Sequence, residues 1–146
     1  MPLDRAWIAQ RIPHQNSMCL LDRVLEWDPA RIRCAAGSHR DPENPLRAHA
    51  RLGAAAGIEY AAQAMAVHGA LCAGEAAAAP AVHGMLASVR AVSIEVERLD
   101  DIDDELIVAA ERLSGDARAI VYAFEISAGA RILLSGRATV MLAAAG

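Results

Sequence analysis

The chain has 146 residues, a formal net charge of −4, 55% hydrophobic residues and only 3% aromatics. That length suits one domain with a single core, and an acidic chain poor in aromatics offers neither the basic patch nor the stacking platform of a nucleic-acid binder. All 14 cationic side chains are arginine, so a Schiff-base lysine and a phosphate-loop lysine are both excluded.

Residues 3–11 read as a short amphipathic helix with Leu3, Trp7 and Ile8 on one side, ended by Pro13. Residues 18–27 and 31–37 read as two strands around the turn Asp28-Pro29-Ala30. Asp41-Pro42-Glu43-Asn44-Pro45 is a loop by composition. A long apolar helix comes next, from Gly53 or Ala55 to Leu71 or Cys72, with a possible extension through Ala76–Ala79 before Pro80. The second half is strand-rich. Residues 84–97 alternate, with Leu86, Ser88, Arg90, Val92, Ile94 and Val96 on one face. Residues 105–113 come after the acidic turn Asp100-Asp101-Ile102-Asp103-Asp104. Residues 117–127 place Ile120, Tyr122, Phe124 and Ile126 together, and residues 131–142 place Ile132, Leu134, Ala138, Val140 and Leu142 together. Gly115-Asp116 and Gly129-Ala130 supply the turns. A helix apolar nearly all round cannot leave a broad face in water, so one antiparallel sheet must cover most of it, an α+β arrangement.

No apolar run is long enough to cross a bilayer, and no basic segment followed by a hydrophobic stretch opens the chain. A soluble, cytoplasmic, single-domain protein is expected. Cys19, Cys34 and Cys72 lie among apolar residues without a C-x-x-C pair and read as buried free thiols. His14, His39, His49, His68 and His83 form no metal-ligand spacing, so neither a metal nor a cofactor is expected.

The chemistry concentrates in Gly57-Ile58-Glu59-Tyr60-Ala61-Ala62-Gln63. Glu59 and Gln63 are spaced i, i+4 and share one helical face. A carboxylate inside such a helix is costly when charged and unpaired, or else takes a raised pKa suited to general acid work. The alternative is a Glu at the helix edge that reaches solvent.

Ile12-Pro13-His14 followed by Leu20-Leu21-Asp22-Arg23-Val24 resembles the opening of the 3-hydroxyacyl-acyl-carrier-protein dehydratases of fatty-acid synthesis. Gly57-Ile58-Glu59-Tyr60-Ala61-Ala62-Gln63 is similar to the helix bearing that family's catalytic carboxylate and the Gln one turn later. The resemblance covers most of the chain and implies the hotdog fold, an antiparallel sheet wrapped around one central helix. The family's His-Phe-Pro-Gly motif is absent. The stretch Asn44-Pro45-Leu46-Arg47-Ala48-His49-Ala50-Arg51-Leu52-Gly53 stands in its place. In this the chain looks like a divergent, ApeP-like branch associated with aryl-polyene-type lipid synthesis.

The resemblance implies dehydration of a 3-hydroxyacyl thioester. Glu59 would be the acid for the departing hydroxyl, Gln63 its orienting neighbour and His49 the candidate base. The amides of Ala56 and Gly57 would polarise the thioester carbonyl. It assigns His14 to the substrate segment, where a structural role is expected, and His68 to packing. Arg40, Arg47 and Arg51 would meet the phosphopantetheine of an acidic acyl carrier protein. It also implies a homodimer, since in the family a base on one subunit faces a carboxylate on the other. Two alternatives stand beside this reading: a non-catalytic hotdog partner of an active dehydratase, and an acyl-thioester hydrolase.

Overall fold

The computed structural model of the chain describes residues 3–12, 18–74 and 82–144. Expectations for Pro13, His14 and the Ala76–Ala79 extension lie outside the described residues.

The elements in order are α1 (Arg5–Arg11), β1 (Arg23–Asp28), β2 (Arg31–Ala36), α2 (Gly57–Ala73), β3 (Val82–Ile94), β4 (Leu106–Gly115), β5 (Ala119–Ala128) and β6 (Arg131–Ala144). Asp4 caps α1, its carboxylate accepting from the Trp7 amide at 3.0 Å. All six strands form one antiparallel sheet in the order β1-β2-β4-β5-β6-β3. The alternation expected for β5 is present: Tyr122, Phe124 and Ile126 are buried, and Val108 and Ala110 of β4 pair opposite Ile126 and Phe124. Ile32, Cys34 and Ala36 of β2 extend the same core. Against it lies α2, which buries Tyr60, Ala61, Ala64, Met65, Val67 and His68. Leu20, Leu21, Leu52 and Leu99 join the same core.

Three strand expectations are corrected. The first strand begins at Arg23 rather than at residue 18, because the chain from Met18 to Leu21 is held by side-chain bonds, with Cys19, Leu20 and Leu21 buried as core, and is not paired in the sheet. In β3 the single alternating face is broken by register shifts at Leu86/Ser88 and Arg90/Ser93, with Ala91 in the left-handed region at φ 55°. Each extra residue turns the remainder of the strand over, so that its side chains exchange faces. In β6 a shift opposite Ile126/Ser127 has the same effect: Leu133 and Leu134 are both buried and Ile132 is exposed. Cys19 and Cys34 are buried, but Cys72 is exposed.

Gly57 sets how closely α2 approaches the sheet. A Cβ at this position would stand 2.7 Å from Leu134 Cδ2 and 3.0 Å from Ile126 Cδ1. The helix therefore rests directly on β5 and β6 at its first residue. Further along, His68 is fully buried and tied at both nitrogens. Nε2 lies 2.8 Å from the Asp28 carbonyl, which can only accept, so the proton sits on Nε2. Nδ1 then accepts from the Tyr122 hydroxyl at 2.8 Å. The exposed Cys72 Sγ lies 3.6 Å from Nε2, whose proton faces Asp28, so this imidazole is no base for the thiol. His68 is a packing residue, as expected, and it joins α2 to both β1 and β5.

Gly57→Val should force Leu134 and Ile126 to shift and lower stability by about 2 kcal/mol, the usual cost of overpacking a core. Urea denaturation would read this as a fall in midpoint with little change in slope, since the surface exposed on unfolding is nearly unchanged.

Candidate active site

The first turns of α2 carry two polar side chains with opposite fates. Gln63 is buried, its Oε1 accepting from the Leu20 amide at 2.8 Å while its Nε2 donates to the Met18 carbonyl at 2.6 Å. This carboxamide fastens the chain that leads into β1 and does not orient Glu59, contrary to expectation. Glu59 is only half-buried, so the picture of a fully enclosed carboxylate is also corrected. It makes no hydrogen bond or ion pair among the described residues.

Tyr60, next to it, anchors a buried chain of hydrogen bonds. Ser38 Oγ donates to the Leu20 carbonyl at 2.8 Å, so the Tyr60 hydroxyl must donate to Ser38 Oγ, 2.7 Å away. The tyrosine oxygen in turn accepts from Asn44 Nδ2 at 3.0 Å, and Asn44 Oδ1 accepts from the Leu46 amide at 2.8 Å. Every donor along this path has an acceptor. It ties the start of α2 to the loop that carries His49.

The amides assigned to carbonyl polarisation are already engaged. Ala54–Ala56 form a single 3-10 turn ahead of α2, in which the Ala56 amide donates to Gly53 at 3.0 Å and the Gly57 amide to Ala54 and Ala55. They are not free donors. Gly57 matters here as the point of helix–sheet contact.

His49 lies on the tip of a two-residue hairpin. Ala48 and Arg51 exchange both backbone hydrogen bonds, at 2.9 and 3.1 Å, and His49 and Ala50 between them have φ of 53° and 64°. That is a turn of the mirror-image type that favours Asn and Gly, so two ordinary residues in it cost about 1–2 kcal/mol each. The surroundings hold it in place: Arg47 Nη2 donates to the Ala50 carbonyl at 3.0 Å and lies 3.8 Å from Asp100. Asp100 is the anchor of the whole segment. Its carboxylate accepts from the Leu52 amide at 3.0 Å and from Arg98 Nε at 2.9 Å. The Arg98 guanidinium holds the Asp100 carboxyl far below the usual carboxylate range. The result is an exposed imidazole on a fixed, strained support.

The other expected residues divide. Arg40 Nη1 donates to the Asp103 carbonyl at 3.0 Å, and Arg47 is bound to Ala50 and Asp100, so both are occupied. Arg51 is exposed, and its guanidinium has no partner among the described residues. His39 is fully buried beneath the acidic turn, its Nε2 donating to the Ile102 carbonyl at 3.0 Å, and burial pushes its pKa down. The sequence reading missed Tyr60, Ser38, Asn44 and Asp100. A tyrosine on an otherwise apolar helix is itself a signal, because its hydroxyl needs a buried partner. Asp100 gave no comparable signal within its run of aspartates.

An antiparallel sheet laid over one long helix defines a hotdog protein, here with a carboxylate in that helix's first turn. Similar solved structures agree. The dehydratase heterocomplex ApeI:P from Xenorhabdus doucetiae matches at a TM-score of 0.81 and 25% identity, over 97% of this chain and 90% of that one. A mutant thioesterase from Pseudomonas aeruginosa matches at a TM-score of 0.62 and 11% identity, over 84% of this chain and 81% of that one. A thioesterase from Haemophilus influenzae matches at 0.60 and 10%, over 84% and 78%. At these identities the thioesterases share the fold alone. No curated protein sequence matches the chain. The chain belongs to the ApeP-like family, that of the ApeP dehydratase, whose family model matches residues 6–145. Among the described residues, no helix is long and apolar enough to cross a membrane.

The depressed Asp100 pKa has a definite sign. In the folded state this carboxyl binds its proton less readily than at the ordinary value of 3.8, so its stabilisation is full above that pH and drains as pH falls through and below it. Asp100→Asn should lower the melting temperature at neutral pH and flatten the acid limb of a plot of melting temperature against pH. The two curves should begin to draw together below about pH 3.8 and keep closing as pH falls further. Parallel curves would show that Asp100 does not anchor the hairpin.

Proposed function

We propose that the chain is a subunit of a cytoplasmic dehydratase acting on 3-hydroxyacyl thioesters of acyl carrier protein, with Glu59 as the acid. The observation that carries this reading is the isolation of that carboxylate. Tyr60, Gln63 and His68 of α2 are all hydrogen-bonded, whereas Glu59 has no partner among the described residues and is half-open to solvent. A carboxylate with no polar partner inside the fold is available to a substrate.

In the reaction a base removes the C2 proton and the C3–oxygen bond breaks. Glu59 gives its proton to the departing hydroxyl, releasing water and a 2-enoyl thioester. His49 is the candidate base, and the strained turn that presents it supports this role. Within one chain no hydrogen bond joins His49 to Glu59 among the described residues. The site is therefore read as completed by a second hotdog subunit, docked at β3. That strand lies at the end of the sheet and exposes Met85 and Ile94, and an unpaired edge is a template for another strand. Arg51, the unengaged arginine beside His49, suits the phosphate of the carrier arm.

The testing assay incubates the protein, alone and with a sister hotdog dehydratase, with a 3-hydroxyacyl carrier-protein thioester, and measures enoyl product and free thiol separately. Glu59→Gln should reduce enoyl formation by about 10²–10⁴-fold, the usual contribution of a positioned acid. His49→Ala should match that loss when the chain supplies its own base, and should leave the rate unchanged when the sister supplies it. Thiol release in place of enoyl product would overturn the dehydratase reading in favour of hydrolysis.

A further inference from the structure

His39 is a buried titratable group that the proposed chemistry does not use. It lies in the single 3-10 turn Ser38–Arg40, between β2 and the loop that leads to the His49 hairpin, and it is fully buried. Its Nε2 donates to the Ile102 carbonyl at 3.0 Å, so Nδ1 carries a lone pair and no proton. Among the described residues Nδ1 is the one buried side-chain nitrogen or oxygen left without a partner. His68, equally buried, is bonded at both nitrogens. Buried polar atoms are nearly always paired, and an exception needs a physical reason.

The acidic turn that His39 holds has few other ties. Arg40 Nη1 donates to the next carbonyl, that of Asp103, at 3.0 Å, and the Ile102 amide donates to the Leu99 carbonyl at 3.1 Å. Asp101, Asp103 and Asp104 are exposed, and their carboxylates form no hydrogen bond or ion pair among the described residues. At the near end of the turn, Asp100 accepts from the Leu52 amide, binds Arg98 and lies beside Arg47, and so braces the His49 hairpin. The imidazole therefore bolts the Ser38–Arg40 turn to the segment that supports His49.

The bolt holds in the neutral form. A second proton, on Nδ1, would place a cation in a site closed to water. Burial holds the pKa of the ring below its ordinary 6.5. The Ile102 and Asp104 carbonyls pull it up, as does Asp22, which precedes β1, while Arg40 of the same turn pushes it further down. An imidazolium gains hydration when the acidic turn lifts away, so the proton favours the open form.

We propose that His39 is an acid-release latch: neutral, it pins the acidic turn through Ile102, and protonated, it lets that turn open and slackens the support of the His49 hairpin. The latch itself is a property of the fold, and its effect on dehydration rests on the reading of His49 as the base. The closed form binds the proton less readily than the open one, so latching is complete above pH 6.5 and weakens as pH falls below it. One proton sets the slope, at most about tenfold in the open fraction per pH unit.

Amide hydrogen exchange tests this, followed by NMR between about pH 7.5 and about pH 5 and expressed as protection factors. The Ile102 and Leu52 amides should lose protection about tenfold over that range, while amides of β4 and β5 keep theirs, which separates local release from unfolding. His39→Gln, whose carboxamide can still donate to Ile102 but takes up no proton, should hold the protection constant. His49→Gln should leave the loss in place. The His39 ring resonances give a readout that needs no variant: they should show the Nε2–H tautomer at neutral pH and a protonation that tracks the amide loss. Constant protection in the wild-type chain, an equal loss in His39→Gln, or a ring that stays neutral while the amides open would each overturn the latch. Exchange is measured without substrate, so the two proposals fail separately. Absence of enoyl formation sinks the catalytic reading and leaves the latch standing, and constant protection in an active protein sinks only the latch.

Discussion

A helix apolar on nearly every side must be enclosed, and this requirement organises the molecule. The sheet covers one side of α2 through β2, β4 and β5, with Gly57 allowing contact with Leu134 and Ile126. Apolar burial alone is non-directional and would tolerate many orientations. Direction comes from three buried polar side chains, each bonded to a different part of the chain. Tyr60 holds Ser38 and Asn44, Gln63 holds Met18 and Leu20, and His68 holds Tyr122 and Asp28. Breaking one such contact leaves partners buried and unsatisfied, at about 1–3 kcal/mol per group. Slippage or rotation of the helix is thereby opposed at three heights along its length.

That arrangement explains why Glu59 is well placed but unengaged. Its position is fixed by Tyr60 and Gln63, one residue and one turn away, so it needs no bonds of its own to be held. The opposite device operates at His49. There the backbone itself is strained, and the conformation persists because Arg47, Asp100 and Arg98 bind its flanks. One group is positioned by the rigid helix beneath it and the other by a network of ions around a turn. Both side chains are left without a hydrogen-bond partner among the described residues, Glu59 half-open to solvent and His49 exposed.

Legibility in the sequence depended on the regularity of the backbone. The β5 pattern of Tyr122, Phe124 and Ile126 could be read directly because the run is uninterrupted through those residues. The faces of β3 and β6 could not, since each register shift changes the phase and nothing in Leu86–Ser88 or Ile132–Leu134 marks the extra residue. Glu59 stood out as a charge in an apolar helix. Gln63 stood out equally, yet its true partners are backbone groups of Met18 and Leu20, which leave no mark on a sequence. The 3-10 turn at Ala54–Ala56 was indistinguishable from helix in composition, so the occupied amides of Ala56 and Gly57 were unforeseen. Asp100 was hidden among Asp101, Asp103 and Asp104, because what singles it out is the convergence of Leu52, Arg98 and Arg47 in space.

The chain's all-arginine cationic set gives its surface a particular grammar. A guanidinium is always charged and presents a planar fork, so each arginine either finds a carboxylate or carbonyl or remains a fixed positive feature. Several are satisfied in place: Arg23 by Glu105, Arg33 by Glu26, Arg98 by Asp100, Arg40 by the Asp103 carbonyl. Arg51, Arg90 and Arg137 are among those that are not, within the described residues. The first stands beside the candidate base, the second is on the edge strand β3, and the third lies opposite it on β6. Exposed ion pairs add little to folding, at about 0–1 kcal/mol each, so leaving these three unpaired costs the fold almost nothing. Their charge is left to act on whatever approaches that surface, and Glu59, equally without a partner among the described residues, is left half-open to solvent.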